Sequence, residues 1–346
     1  METLPGRPPR LSIIVPAYNN PPDLAECLAA LRAQAPADAE LMVVDDASTD
    51  ETPAVAVAGG ARLLRLRENS GPGAARNHGA AQATGEVLLF VDADVVVARG
   101  AVELVLRAFA SDPGLAALFG SYDDDPRASS LVSRYRNLLH HFVHQEGNTQ
   151  AATFWAGLGA VRRALFLAVG GFDAARFPRP SIEDIELGYR LRRAGHRIRL
   201  DRTIQGTHLK RWGLWSMLRT DVTCRALPWS RLIIETRHAP EDLNLRASQR
   251  VSCLLSGVAV ATAMGAPWWR PLLGVGALAL LGVAAINRRF YALLWRRGGA
   301  RLAGLGFALH VLYFLYSAAT FAFVLLESRV RGARDGGRLA SGKGRA

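Results

Sequence analysis

Three short runs, at residues 11–15 in LSIIVPAYNN, 41–44 in LMVVDDASTD and from Leu88 in LLFVDADVVV, are built alike: apolar, rich in Val and Ile, and meeting polar or acidic residues at their ends. A run with no polar alternation suits a strand buried on both faces, which is the condition of a parallel sheet covered by helices. Helix-length segments separate the runs. Asp23 can cap a helix through about residue 35, a third short strand is expected near residues 63–66, and ENSGPGAARNHGAAQATG offers Ser70 as N-cap, Pro72 as an early helical residue and Gly85 as a stop. This alternation predicts βαβ units, hence an α/β domain with a Rossmann-like, mostly parallel sheet and helices on both faces. Ligands of such sheets bind beyond the carboxyl ends of the strands. There the chain places Tyr18 and Asn19, Asp45 and Asp46, and Asp92 and Asp94. Asp92 and Asp94 alternate along an extended chain and point to the same side, so their charges repel unless a cation lies between them.

The character of the sequence changes after residue 249. Long apolar runs at 251–269, 271–286 and 303–326 are candidate membrane helices, measured against the ~20 residues that cross a ~30 Å hydrocarbon core. The net charge of +12 could point to nucleic acid, yet the excess Arg flanks these runs in NRRF, WRRGGAR and RVRGARDGGR. That placement suits a membrane boundary and argues against a nucleic-acid partner. Three crossings would put the Arg288–Arg301 loop and the basic tail on opposite sides, so either one run does not cross or the positive-inside rule is broken. Nothing near Met1 has the order of a signal peptide, so the soluble part is expected on the cytoplasmic side of a multi-pass protein of the inner cell membrane. Cys27, Cys224 and Cys253 are odd in number and far apart, which supports neither a disulfide framework nor a zinc site.

The stretches SIIVPAYN, VVDDASTD, GPGAARNHG, FVDADV and SIEDIELGYRLRRAGHRI together, in that order, resemble the nucleotide-sugar glycosyltransferases of family 2, which have the GT-A fold. The resemblance covers roughly residues 11–212. It implies a GT-A domain at 11–240, with a nucleotide-binding half at 11–95 and an acceptor half at 96–240. Residues 1–10 would then be an N-terminal extension, 251–326 a membrane domain and 327–346 a basic tail without structure. It also implies a donor pocket lined by Pro16, Ala17, Tyr18 and Asn19, with Asp46 accepting a hydrogen bond from the base, typically uracil, and Asp45 beside it. Arg76 would approach the nucleotide, and Asp92 and Ala93 the ribose and donor sugar. Asp94 matches the metal-binding aspartate, and oxygen ligands with a phosphate substrate suit Mg²⁺ or Mn²⁺. His208 stands where some relatives carry a third metal ligand; the alternative is a histidine that only packs.

The second half is expected to supply the acceptor site and the base. In TFWAGLGAVRR, Gly157 and Gly159 allow close backbone approach and Trp155 offers a flat face for a sugar or lipid, although core packing suits Trp155 equally. Asp184 matches the family's E-D element and is the expected general base of an inverting transfer, with Glu183 orienting the acceptor or complementing the helix dipole. Arg211 and Trp212 match the end of the Q-x-x-R-W motif of processive synthases, but the residues before them depart from it. Residues 209–229 could form an amphipathic helix at a membrane surface or on the protein core. The HHFVH cluster reads as a helix face and Asp123–Asp125 as a solvated turn. The whole describes a membrane-anchored inverting glycosyltransferase that uses a UDP-sugar and a lipid or lipid-linked acceptor. Its rivals are a processive polysaccharide synthase and a catalytically silent nucleotide-binding scaffold.

Overall fold

Strand β1 (Leu11–Ala17) has Ile13, Ile14 and Val15 all fully buried, which requires cover on both faces of the sheet. The computed structural model, which describes residues 10–342, supplies that cover. The remaining strands are β2 (Glu40–Asp45), β3 (Arg62–Arg65), β4 (Val87–Val91), β5 (Val95–Val97), β6 (Leu115–Tyr122), β7 (Leu158–Arg162) and β8 (Arg197–His208). The helices of this part are α1 (Pro21–Arg32), α2 (Thr52–Ala58), α3 (Pro72–Gln82), α4 (Ala101–Ser111), α5 (Leu131–Glu146), α6 (Arg163–Ala168) and α7 (Glu183–Arg193). On one face Ile13, Val15, Val43 and Leu89 meet Leu24, Leu28 and Leu31 of α1, Ala56 of α2 and Val102 and Val105 of α4. On the other, α3 approaches so closely that a side chain at Gly79 would strike Ile14 and Val44, and Phe90 packs with Phe166 and Phe172.

All eight strands form one sheet in the order β3-β2-β1-β4-β7-β6-β8-β5. The four strands of the first half are parallel, as the apolar runs predict. The second half is mixed: β7 is antiparallel to both β4 and β6, and β5 is antiparallel to β8, while β6 and β8 are parallel. The sheet is therefore the mostly parallel α/β sheet that the sequence predicts, with β5 and β7 running against the other six strands. Strand direction follows from which neighbours the later strands find, and their apolar pattern does not encode it. Local details differ from expectation. Gly71, not Ser70, is the N-cap of α3, because its φ of +86° ends the preceding turn and its position against Pro178 leaves no space for a Cβ.

The chain divides into two units, Met1–Gly213 and Leu214–Ala346, so residues 214–240 group by their contacts with the C-terminal helices. The helix expected over 209–229 begins only at α8 (Leu214–Thr220), since β8 extends to His208 and residues 209–213 are non-helical. A π-helical turn, Asp221–Ala226, joins α8 to α9 (Leu227–Thr236); Asp221 is buried there and accepts from Tyr316 Oη at 2.7 Å. Helices α10 (Ala247–Gly265) and α11 (Leu272–Ile286) pack through small residues: Ser252, Ser256, Ala259 and Thr262 against Gly276, Ala279 and Val283. Small side chains let two helix backbones approach closely. The last helix, α12 (Arg288–Gly342), is broken at Gly298 and Gly299.

Of the three expected membrane runs, one meets the requirement. Within α12, Arg288–Arg331 is long and apolar enough to cross a membrane, and only 22% of its most apolar window is buried, unlike a core helix of a soluble protein. Helix α11, with 15 residues, spans about 22 Å and is too short by itself, and Gln249, Arg250 and several Ser and Thr dilute α10. The backbone of α12 stays helical through 327–342, where the composition predicted a tail without structure; no proline interrupts it. Residues 1–9 of the expected extension and 343–346 of the tail lie outside the described residues.

Candidate active site

The two aspartates of FVDADV leave the end of β4 held by the backbone. Asp92 N–H donates to the Gly157 carbonyl at 3.1 Å, and the Leu209 amide donates to the Asp94 carbonyl at 2.8 Å. The second bond lies beside the pairing of Val95 with His208, so it sets Asp94 next to the last residue of β8. Asp94 Oδ2 is 3.4 Å from His208 Nε2. Burial opposes a charge on Asp94, but His208 and then Lys210 hold its carboxyl below the usual carboxylate range. Among the described residues no three His, Cys, Asp or Glu side chains converge as a closed metal cage. The Asp94–His208 pair has the donor chemistry for an ion completed by substrate phosphates, one hard oxygen and one imidazole nitrogen.

Asp92 points the other way along the site, to Arg76. The Arg76 guanidinium donates to Asp92 Oδ1 at 2.6 Å and to Glu183 Oε1 at 3.1 Å, and it lies 5.5 Å from the Phe172 ring centre. Burial disfavours its charge, yet Asp92, Glu183 and Asp184 together keep the guanidinium more firmly protonated than usual. Glu183 has its second oxygen engaged as well, accepting from the Ser181 amide at 2.9 Å. It therefore anchors Arg76 and the start of α7. Asp184, the next residue, accepts from the Ala156 and Ile185 amides at 3.1 and 2.8 Å. Burial, and then the Glu183 charge, push its carboxyl up to about 7. A carboxylate poised near neutral pH is matched to taking a proton from a hydroxyl.

The other candidate residues fall into two groups. Tyr18 is 49% exposed at the strand ends, and Asn19 takes a left-handed φ of +46° while its Oδ1 accepts from the Thr49 amide. Pro16 and Ala17 close β1 below them, and Ala93 is buried between the two aspartates. Asp45 accepts from Arg65 Nε at 2.9 Å and from the Ser48 amide, and Asp46 clasps the Ser70 and Gly71 amides at 2.7 and 2.8 Å. Asp46 thus ties the loop before α3 to the end of β2 and keeps one further lone pair per oxygen for a ligand. Trp155 is half-buried against Tyr122, His140 and His144; its indole lies directly over Gly157, where no Cβ would fit. Gly159 sits in β7 beneath Phe154. Arg211 is exposed, whereas Trp212 is buried against Arg136 and Lys210, with its amide donating to Ser133 Oγ; it offers no open platform for an acceptor.

Part of this arrangement lies in a segment that is similar to known proteins. Residues 12–170 match the model of glycosyl transferase family 2. This segment is a family 2 glycosyltransferase domain. The chain is 31% identical over 223 residues to a validoxylamine A glucosyltransferase of Streptomyces hygroscopicus subsp. limoneus, covering 54% of this chain and 49% of the relative. It is 37% identical over 92 residues to the succinoglycan biosynthesis protein ExoO of Rhizobium meliloti, covering 26% of each. The chain thus spans half or less of the length of these curated relatives. In fold it is similar to a mannosyltransferase of Pyrobaculum calidifontis solved with GDP-Man and Mn²⁺, with a TM-score of 0.59, 22% identity, and 92% of this chain and 88% of that one covered.

Beyond the family 2 motifs, sequence reasoning missed the residues that support the site from α5. Ser133, Asn137, His140 and His144 recur at helical spacing on the buried face of this helix. Asn137 Oδ1 lies 2.8 Å from His208 Nδ1, His144 Nδ1 lies 3.0 Å from the Gly120 carbonyl, and Tyr122 stacks on the His208 ring at 4.3 Å. The signal is a polar stripe at i, i+4, i+7 and i+11, of which the HHFVH cluster, read as a helix face, is only the end. Burial pushes the His144 imidazole down to about 4, so it packs as a neutral ring. The packing of the site also depends on Gly188 of α7, where an added Cβ would collide with the backbone of Thr153 and Phe154. Gly188→Ala should cost about 1–3 kcal/mol of stability, measured by denaturant unfolding, because α7 must move off the segment that holds Asp184 through Ala156.

Proposed function

We propose that this chain is an inverting, metal-dependent glycosyltransferase that moves a sugar from a nucleotide diphosphate donor to a hydroxyl or phosphate oxygen of a membrane-associated acceptor. The observation that carries the reading is the placing of one raised carboxyl, Asp184 at about 7, in a charge network that reaches through Arg76 to Asp92 at the strand ends. Asp184 takes the acceptor proton as the acceptor oxygen attacks the anomeric carbon from the face opposite the diphosphate. The Ala156 amide fixes the orientation of the Asp184 carboxylate. Asp92 and Arg76 bind the donor on the nucleotide side, and Tyr18 and Asn19 border the base. Asp94 and His208 would hold a Mg²⁺ or Mn²⁺, which when bound neutralises the departing diphosphate.

Membrane attachment rests on α12, together with the exposed tryptophans Trp268, Trp269 and Trp295, which suit the headgroup level of a bilayer. A lipid or lipid-linked acceptor, met at the surface of the inner membrane from the cytoplasmic side, gives the anchor a purpose. The base is read as uracil from the Asp46 match.

Calorimetric titration of the detergent-solubilised chain with UDP, GDP and dTDP, each with and without Mn²⁺, tests the donor reading. One nucleotide should bind in a metal-dependent manner, and Asp94→Ala should weaken it by at least tenfold. Nucleotide binding that ignores both Mn²⁺ and Asp94→Ala would refute the metal assignment.

A further inference from the structure

We infer that Asn137 is a positioning residue that selects the metal-binding tautomer of His208; the inference rests on the metal reading above. Asn137 is on the buried face of α5 and is 3% exposed; its Oδ1 lies 2.8 Å from His208 Nδ1. An amide oxygen only accepts, so this bond places the imidazole hydrogen on Nδ1 and leaves the Nε2 lone pair uncovered. Nε2 is the atom that faces Asp94 Oδ2 at 3.4 Å. Nε2 and Asp94 Oδ2 are therefore the two donor atoms that a cation between them would meet.

Two further contacts remove the ring's remaining freedom. Tyr122 stacks on it at 4.3 Å with planes 9° apart, and the β5–β8 pairing fixes its Cα against Val95. The Asn137 Nδ2 group has no hydrogen-bond partner although it is buried. Were only its packing required, an apolar residue of the same shape would avoid that penalty. The outer hydrogen bond of a metal-bound histidine sets its tautomer and orientation, and losing it costs about 10–100-fold in metal affinity.

The test uses the full chain in detergent with Mn²⁺, alone and with saturating UDP or GDP. Binding is followed by loss of the free Mn²⁺ paramagnetic resonance signal, and spin-echo modulation detects a directly bound imidazole nitrogen. The wild type should bind Mn²⁺ with nitrogen modulation. Asn137→Leu, of similar shape, should bind about 10–100-fold more weakly and lose the modulation. Asn137→Asp, whose carboxylate oxygen can likewise accept from His208 Nδ1–H, should retain both. Asn137→Leu binding as tightly as wild type overturns the proposal. So does Asn137→Asp binding tenfold more weakly at an unchanged melting temperature, which decides the matter if the Leu variant does not fold. Wild-type binding without nitrogen modulation refutes this inference alone, whereas no wild-type Mn²⁺ binding with any nucleotide refutes the metal reading beneath it.

Discussion

Asp184→Asn should lower kcat by about 10²–10⁴-fold while leaving metal-dependent nucleotide binding unchanged. The amide keeps the shape of the carboxylate and can still accept from one of the two amides, Ala156 or Ile185, that hold it. It cannot take a proton from the acceptor. The wild-type rate should rise with pH through about 7, as the base loses its proton, and the residual rate of the variant should lack that limb. Stability should move the other way. A carboxyl raised to about 7 in the fold, against about 3.9 in the unfolded chain, binds more protons folded than unfolded between those values, so its contribution falls as pH rises across them. The variant should therefore match the wild type below about pH 4 and equal or exceed its melting temperature above pH 7. Wild-type turnover by Asp184→Asn would remove this residue from the chemistry.

Arg76→Met should destabilise the fold by about 3–5 kcal/mol. The guanidinium is buried with Glu183 and pairs with Asp92, and removing it leaves two carboxylates near Asp184 without a counter-charge. Methionine fills much of the arginine stem's volume, so the loss isolates charge from packing. Arg76 also pulls the Asp184 carboxyl downward, against burial and Glu183. In any variant that folds, the alkaline rise of the rate should move to higher pH. Denaturant unfolding and a pH–rate profile read the two effects separately. Unchanged stability would mean that Asp92 and Glu183 are solvated well enough to need no partner.

These two residues illustrate how unevenly the site is legible in the sequence. Each of Asp94, Asp184 and Arg76 stands inside a local motif, so its candidacy follows from neighbours a few positions away. Glu183 and Asp184 look alike in the chain. They separate only in three dimensions, where Glu183 faces the Arg76 guanidinium, 107 positions earlier, and Asp184 faces the Ala156 amide. The place of Trp212 is hidden for the same reason: its burial against α5 comes from residues some 80 positions away.

By itself the sequence determined the βαβ order of the first half, the acidic strand ends and the change to apolar helices after residue 249. Each depends on contacts close in the chain and on burial of whole runs. Only the tertiary structure decided the mixed direction of β5 to β8, the length of α12 as the one helix among the described residues long and apolar enough to cross a membrane, and the meeting of Asn137, His208 and Asp94. A hydrogen bond between side chains 71 positions apart leaves no periodic trace in the chain, because its geometry is set by how a helix seats on a sheet.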